Sequence, residues 1–201
     1  LARNWAIPGT PGVEHRLGGL EKDSITGEIS YDPENHEKMV FLRDEKIKRI
    51  KNDIPPLEII GQENNVLLVV TWGSVYGPAF SAIKELQEQG HPVSMVQLRY
   101  LNPFQNNLAD ILKNFEKVLV PEMNLGQLSS MLRSEFLVDT IPFSKVQGRP
   151  FLISEIRRII SSGSSYFESV RLRRFGFESE RTKGAGDSAS KNRIAAPIRP
   201  A

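Results

Sequence analysis

Val66-Leu67-Leu68-Val69-Val70, then Trp72-Gly73-Ser74-Val75-Tyr76-Gly77, then Pro78 to Gln89 closed by Gly90, is the stretch that decides the fold. An unbroken apolar run of this length suits a strand buried on both faces, as in a parallel sheet. The glycines after it are turn chemistry. From Pro78 the period changes: Ala79, Ala82, Ile83 and Leu86 fall on one side of a helix, and Gly90 is placed to end it.

Working outward, the alternation repeats. Val93 to Leu98 reads as a second strand, Leu108 to Phe115 as a short helix and Lys117 to Pro121 as a third strand. Leu125 to Leu137 reads as a third helix with Asn124 as its cap. Ile153 to Ile160 reads as a last short helix after Pro150, with Ser154 as cap. Strands alternating with helices predict an α/β fold: a three-layer, Rossmann-like, open and mainly parallel sheet with helices on both faces. Ligands or partners meet such a sheet at the carboxyl ends of its strands. Those ends are Thr71–Ser74, Arg99–Phe104 and Glu122–Gly126.

Eight residues there are candidates for cofactor binding or for an interface: Trp72, Gly73, Ser74, Tyr76, Arg99, Tyr100, Glu122 and Asn124. Gly73 would let a backbone approach a ligand, and a helix N-terminus offers unpaired N–H groups to an anion. A tight turn whose Trp and Tyr pack on a neighbouring domain accounts equally for Trp72 to Gly77. Arg99 and Tyr100 are of the residue types that anchor interfaces, but they also precede a plain Asn-Pro turn. Glu122 stands where many α/β enzymes keep an acid, yet no His, Lys or second carboxylate is visibly paired with it. There is no G-x-G-x-x-G fingerprint, no P-loop and no G-x-S-x-G elbow. No catalytic residue and no metal ligand is assigned.

Before the domain lies a Gly-, Pro- and Asn-rich loop, residues 1–36, which overlaps a charged helix over residues 33–51. Asp32 is placed to cap that helix, with Pro33 at its first position. Pro55-Pro56 opens a linker. A loop this long without periodicity should rest on something else. The start at Leu1, with no apolar leader behind a basic segment, reads as a cut point. After Ile160 the chain turns Ser- and Gly-rich with a small cluster at Arg171, Arg173 and Arg174. Residues 161–201 are therefore expected to be a flexible basic tail.

The bulk numbers are those of a globular protein, with 39% hydrophobic and 25% charged residues over a length of 201. A net charge of +2, from 26 basic and 24 acidic residues, gives no reason to expect nucleic acid. No run reaches the ~20 apolar residues of a membrane span. Zero cysteines exclude disulfides and cysteine-held clusters on this chain, and nothing points away from the cytoplasm. His15, His36 and His91 are scattered without ligand spacing.

Taken in order, these strings resemble a known family: Asp32-Pro33-Glu34-Asn35-His36-Glu37-Lys38-Met39; Thr71 to Gly77; Leu98-Arg99-Tyr100-Leu101-Asn102-Pro103-Phe104; Val118 to Leu128; and Lys145-Val146-Gln147-Gly148-Arg149-Pro150-Phe151. Together they are similar to the carboxyl-terminal half of the alpha subunit of 2-oxoacid:ferredoxin oxidoreductases, nearest to the 2-oxoglutarate type, over roughly residues 6–160. Glu21-Lys22 departs from the Glu-His of many members, and the tail runs past the usual end. The resemblance implies a division of the chain. Residues 1–56 would be the end of a thiamine-diphosphate pyrimidine-type domain plus linker, and 57–160 a transketolase C-terminal-like domain.

It also implies oxidative decarboxylation of a 2-oxoacid with coenzyme A as co-substrate and ferredoxin as acceptor. In the whole enzyme it implies thiamine diphosphate, Mg2+ and an iron–sulfur cluster, held mainly by other domains or by a beta subunit. No cofactor is expected on this chain alone, which is expected to be inactive by itself and to act within an alpha–beta hetero-oligomer. Two rival readings stand beside it: a non-catalytic interaction module, and a stand-alone nucleotide-binding domain, which the missing fingerprint disfavours.

Overall fold

A computed structural model describes residues 1, 5–16 and 18–162. The expected basic tail falls almost wholly outside the described residues. The apolar run forms β1 (Asn65–Trp72), and the chain continues through α2 (Tyr76–Glu88), β2 (Val93–Leu98), α3 (Leu108–Lys113), β3 (Phe115–Glu122), α4 (Gln127–Phe136), β4 (Thr140–Ser144) and α5 (Ile153–Ser161). Helix α1 (Pro33–Arg49) precedes them and runs into a single 3-10 turn, Ile50–Asn52. Asp32 caps α1 as expected, its carboxylate accepting from the N–H groups of Glu34 and Asn35.

The strands form one sheet in the order β2-β1-β3-β4, every pair parallel. Alternate side chains of β1 go to opposite faces, as strand geometry requires. Leu67 and Val69 pack with Ala79, Ala82, Ile83 and Leu86 of α2 and with Ile156 and Ile159 of α5. Leu68 and Val70 pack with Leu108, Ile111 and Leu112 of α3 and with Leu128 and Leu132 of α4. Two apolar layers thus sandwich the sheet, which explains why β1 is apolar without interruption. Each fully buried Leu or Ile contributes about 2 kcal/mol of hydrophobic stabilisation.

β4 was not expected from the sequence. It is short and contains Pro142, which removes a backbone donor; such a strand is tolerated at a sheet edge, and that is where it lies. The opposite edge is partly covered by the linker. Ile60 and Met95 exchange a pair of hydrogen bonds of 2.9 and 3.0 Å in an antiparallel bridge. Beside it Gly61 sits at φ +122, where a Cβ would come within 2.5 Å of Gln87 Nε2. Gln87 uses that nitrogen to bond the carbonyls of Ile60 and Val93. Gly61 is therefore required both by backbone conformation and by close approach.

Three further boundaries differ. Helix α3 stops at Lys113 because Phe115 already pairs with Asn65 and packs in the core. Ser154 is not a cap: Leu152 holds the cap position of α5, and the Glu155 side chain reaches back to its N–H at 2.7 Å. Leu125 and Leu137 fall outside α4, and both are nearly fully exposed, 87% and 90%.

Candidate functional site

In the order β2-β1-β3-β4 the chain direction of travel reverses between β1 and β3, so the crevice at their carboxyl ends is the switch point where open sheets bind. Three of the four strand ends meet there. Trp72 is the register partner of Leu98, so Arg99 and Tyr100 follow beside Gly73. Val69 is level with Leu119, and three residues on in each strand stand Trp72 and Glu122. Ser74 Oγ donates to Met123 Sδ at 3.5 Å and ties the ends of β1 and β3 together. All eight candidate residues thus belong to this end of the sheet.

They do different work. Glu122 is fully buried, and its two oxygens accept from the N–H groups of Leu128 (2.7 Å) and Ser129 (3.0 Å) in the first turn of α4. A carboxylate there satisfies two otherwise orphaned donors and faces the positive end of the helix. Its main-chain carbonyl also accepts from Lys145 N at 2.9 Å, just beyond β4. Glu122 therefore joins β3, α4 and the end of β4, and its oxygens are engaged rather than free for proton transfer. Asn124 braces the same turn: its Oδ1 accepts from Gly126 N at 2.8 Å and Gln127 N at 3.0 Å. The cap position itself belongs to Gly126, at φ 91, so the expectation of Asn124 as a simple cap is corrected.

With those two residues absorbed into the scaffold, the surface left is apolar, aromatic and cationic. Tyr76 and Tyr100 are exposed, and Tyr76 is braced against Phe80 with ring centroids 5.6 Å apart. Leu125 projects from the turn that Asn124 and Glu122 stiffen. Arg99 is exposed and has no ion pair among the described residues. No nucleophile with a positioned base is present in this group, and no cluster of three His, Cys, Asp or Glu that could hold a metal occurs among the described residues. What the arrangement can do chemically is dock: rigid aromatic and Arg side chains at an interface contribute much binding energy for little lost entropy.

Two supporting constellations were not visible in the sequence. Lys145 is buried, with Nζ 2.6 Å from Glu155 Oε2 and 3.0 Å from Pro150 O, lying over the Phe151 ring. The Leu152 N–H, then Lys145, hold the Glu155 carboxyl below its ordinary pKa. This pins the loop between β4 and α5. In the first region, Glu21 accepts from both Arg43 guanidinium nitrogens (3.0 and 3.3 Å) and pairs with His36 Nδ1 (2.9 Å). Arg43 first, then His36, lower its pKa from 4.5 to about 2.

The comparisons with known proteins agree with this architecture. Residues 66–156 match the model of the pyruvate:ferredoxin oxidoreductase core domain II. A 2-oxoglutarate oxidoreductase subunit KorA from Mycobacterium tuberculosis is 48% identical over 161 residues, which is 80% of this chain and 24% of that protein. A 2-oxoacid:ferredoxin oxidoreductase alpha subunit from Aeropyrum pernix is 33% identical over 157 residues, covering 73% of this chain and 24% of that protein. Among solved structures, a 2-oxoglutarate:ferredoxin oxidoreductase from Magnetococcus marinus, with 2-oxoglutarate, coenzyme A and succinyl-CoA bound, superimposes with a TM-score of 0.72 at 32% identity. The match covers 78% of this chain and 28% of that one. The chain spans about a quarter of the length of the curated relatives it matches.

Proposed function

We propose, from the match of residues 66–156 to the pyruvate:ferredoxin oxidoreductase core domain II model, that the chain is part of the alpha subunit of a 2-oxoglutarate:ferredoxin oxidoreductase. The enzyme would decarboxylate a 2-oxoacid, pass the acyl group to coenzyme A and the electrons to ferredoxin, in the cytoplasm. The observation that carries the reading is the 48% identity to a 2-oxoglutarate oxidoreductase subunit KorA across four fifths of the chain.

Within that enzyme this piece contributes structure and assembly. Its described residues do not fit thiamine diphosphate or its metal. They lack a ligand cluster, and the N-terminus of α4, which would suit a phosphate, already receives the Glu122 carboxylate. The chain has no cysteine to hold an iron–sulfur cluster. Those groups sit, in this proposal, on other domains or on a beta subunit. Residues 1–56 close a preceding pyrimidine-type domain, and residues 57–160 are the transketolase C-terminal-like unit. The strand-end surface of Trp72, Gly73, Ser74, Tyr76, Arg99 and Tyr100, stiffened by Glu122 and Asn124, is the face it presents to the rest of the assembly.

The test is copurification. The subunit carrying this chain should bring down a beta-type subunit. Arg99→Glu and Leu125→Asp should release it without moving the melting temperature. Full retention of the partner by both variants would remove the strand-end face from the interface. Absence of any beta-type partner would favour the plain interaction-module reading.

A further inference from the structure

The loop after β4, residues 145–150, is a fourth strand end and lies outside the eight candidates. Its base is fixed. The Lys145 N–H donates to Glu122 O at 2.9 Å, and the buried Lys145 Nζ pairs with Glu155 Oε2 at 2.6 Å. Its tip is open: Val146 is 63% exposed, and Arg149 is exposed without an ion pair among the described residues. Arg99 follows β2 and Arg149 follows β4, the two edges of the sheet. Neighbouring strands lie ~4.8 Å apart, so the strands that carry the two arginines are ~14 Å apart. Tyr76 and Leu125 follow the two central strands between them.

Charge says what kind of partner fits. The four strand-end segments, residues 72–77, 99–107, 122–127 and 145–150, hold four charged side chains: Arg99, Glu122, Lys145 and Arg149. Two are engaged inside the fold, Glu122 by the N–H groups of Leu128 and Ser129 and Lys145 by Glu155. The two left to solvent are both cations, and no exposed carboxylate lies on these segments. The apolar groups between the arginines project instead of lining a hollow: Leu125 is almost fully exposed on its stiffened turn, and Tyr76, Tyr100 and Val146 stand open. Projecting apolar and aromatic side chains with arginines beside them are the anatomy of a protein–protein contact. A small anion would need walls around it.

We infer, resting on the assembly role proposed above, that this face docks an acidic protein surface. The partner offers an apolar socket to Leu125, with one carboxylate beside it for Arg99 and another for Arg149. Charge complementarity selects this occupant, because a basic or second identical face would set arginine against arginine. The loop after β4 thereby joins the interface, and the buried Lys145–Glu155 pair holds Arg149 in place for it.

The experiment uses the full-length subunit in its native complex. Arg99→Lys and Arg149→Lys, in separate preparations, keep the charge and add an amine. A water-soluble carbodiimide then joins that amine only to a carboxylate in contact with it. Each variant is expected to give a new crosslink to an Asp or Glu of another polypeptide in the complex, absent from the unaltered protein. The double variant Arg99→Glu with Arg149→Glu is expected to bind the separately purified partner at least roughly tenfold more weakly at about 0.05 M salt, and the difference should shrink at about 0.5 M. A missing crosslink at either position, crosslinks confined to the subunit's own carboxylates, or affinity indifferent to the charge reversal would each overturn the proposal. So would a double variant that keeps its partner and loses affinity for coenzyme A, since the face would then serve a polyanion. Crosslinks to an acidic polypeptide that is not beta-type keep the acidic docking and sink the subunit reading; a beta-type subunit that copurifies without the crosslinks does the reverse.

Discussion

The first fifty residues and the hundred that follow Leu57 are held together by different physics. In the second region nearly every large apolar side chain of the sheet is buried between two helical layers. In the first, α1 buries only Asn35 among its seventeen residues, and Trp5, Tyr31, Val40 and Phe41 stay exposed. What order it has comes from polar stitching. Asn35 bonds the Ser24 N–H (3.1 Å) and the Lys22 carbonyl (3.0 Å), and Glu21 clamps His36 and Arg43. Hydrogen bonds of this kind contribute about 0.5–1.5 kcal/mol each, which orients a loop but does not make a core. The contrast teaches that one region carries an apolar core of its own, whereas the other is ordered by polar contacts.

The largest expected effect belongs to the core. Leu119→Ala opens a cavity at the centre of β3, between β1 and β4, and should cost about 3 kcal/mol in urea unfolding. A loss below about 1 kcal/mol would mean the two-layer core is not what stabilises the second region. Next comes Glu122→Ala, which strands two helix donors and should cost about 2–3 kcal/mol. Glu122→Gln keeps the shape and should lose about half of that. If catalysis by the complex collapsed in Glu122→Gln while stability held, Glu122 would be a proton-transfer group after all.

Smaller again, Gly61→Ala should cost somewhat more than about 1 kcal/mol, because it forces a side chain into a left-handed backbone against Gln87. Its signature is loss of amide protection at Ile60 and Met95, with the rest of the sheet unmoved. The smallest effect on global stability is expected at Glu21. Its carboxyl is lowered in the fold from 4.5 to about 2. The clamp is therefore complete above pH 4.5 and is lost as the pH falls from there through about 2. Amide exchange at Lys22 and Ser30 should accelerate over that window while exchange in β1 does not. Loosening that begins near neutral pH would contradict the assigned cause.

Much of the second region was legible because its elements are written in local patterns. The run Val66 to Val70 and the spacing of Ala79, Ala82, Ile83 and Leu86 name their own structures. β4 was not legible: Thr-Ile-Pro-Phe-Ser is too short and too interrupted to announce a strand, and only pairing with Val118 to Glu122 makes it one. The strand ends were readable as a place, since topology brings Trp72, Arg99 and Glu122 together. The role of Glu122 was not readable, because its partners lie six and seven residues away across a turn that needs Gly126 at positive φ. The Lys145–Glu155 pair was hidden for the same reason: it depends on which groups end up buried together.

The most direct measurement is dye reduction by the native complex. The native complex containing this chain is isolated, supplied with 2-oxoglutarate, coenzyme A and methyl viologen, and followed for dye reduction beside the 201-residue chain alone. The expected result is reduction by the complex that requires both substrates, and none by the chain alone. Reduction by the chain alone would contradict its proposed role as a non-catalytic part, and no reduction by the intact complex with any 2-oxoacid would contradict the proposed activity.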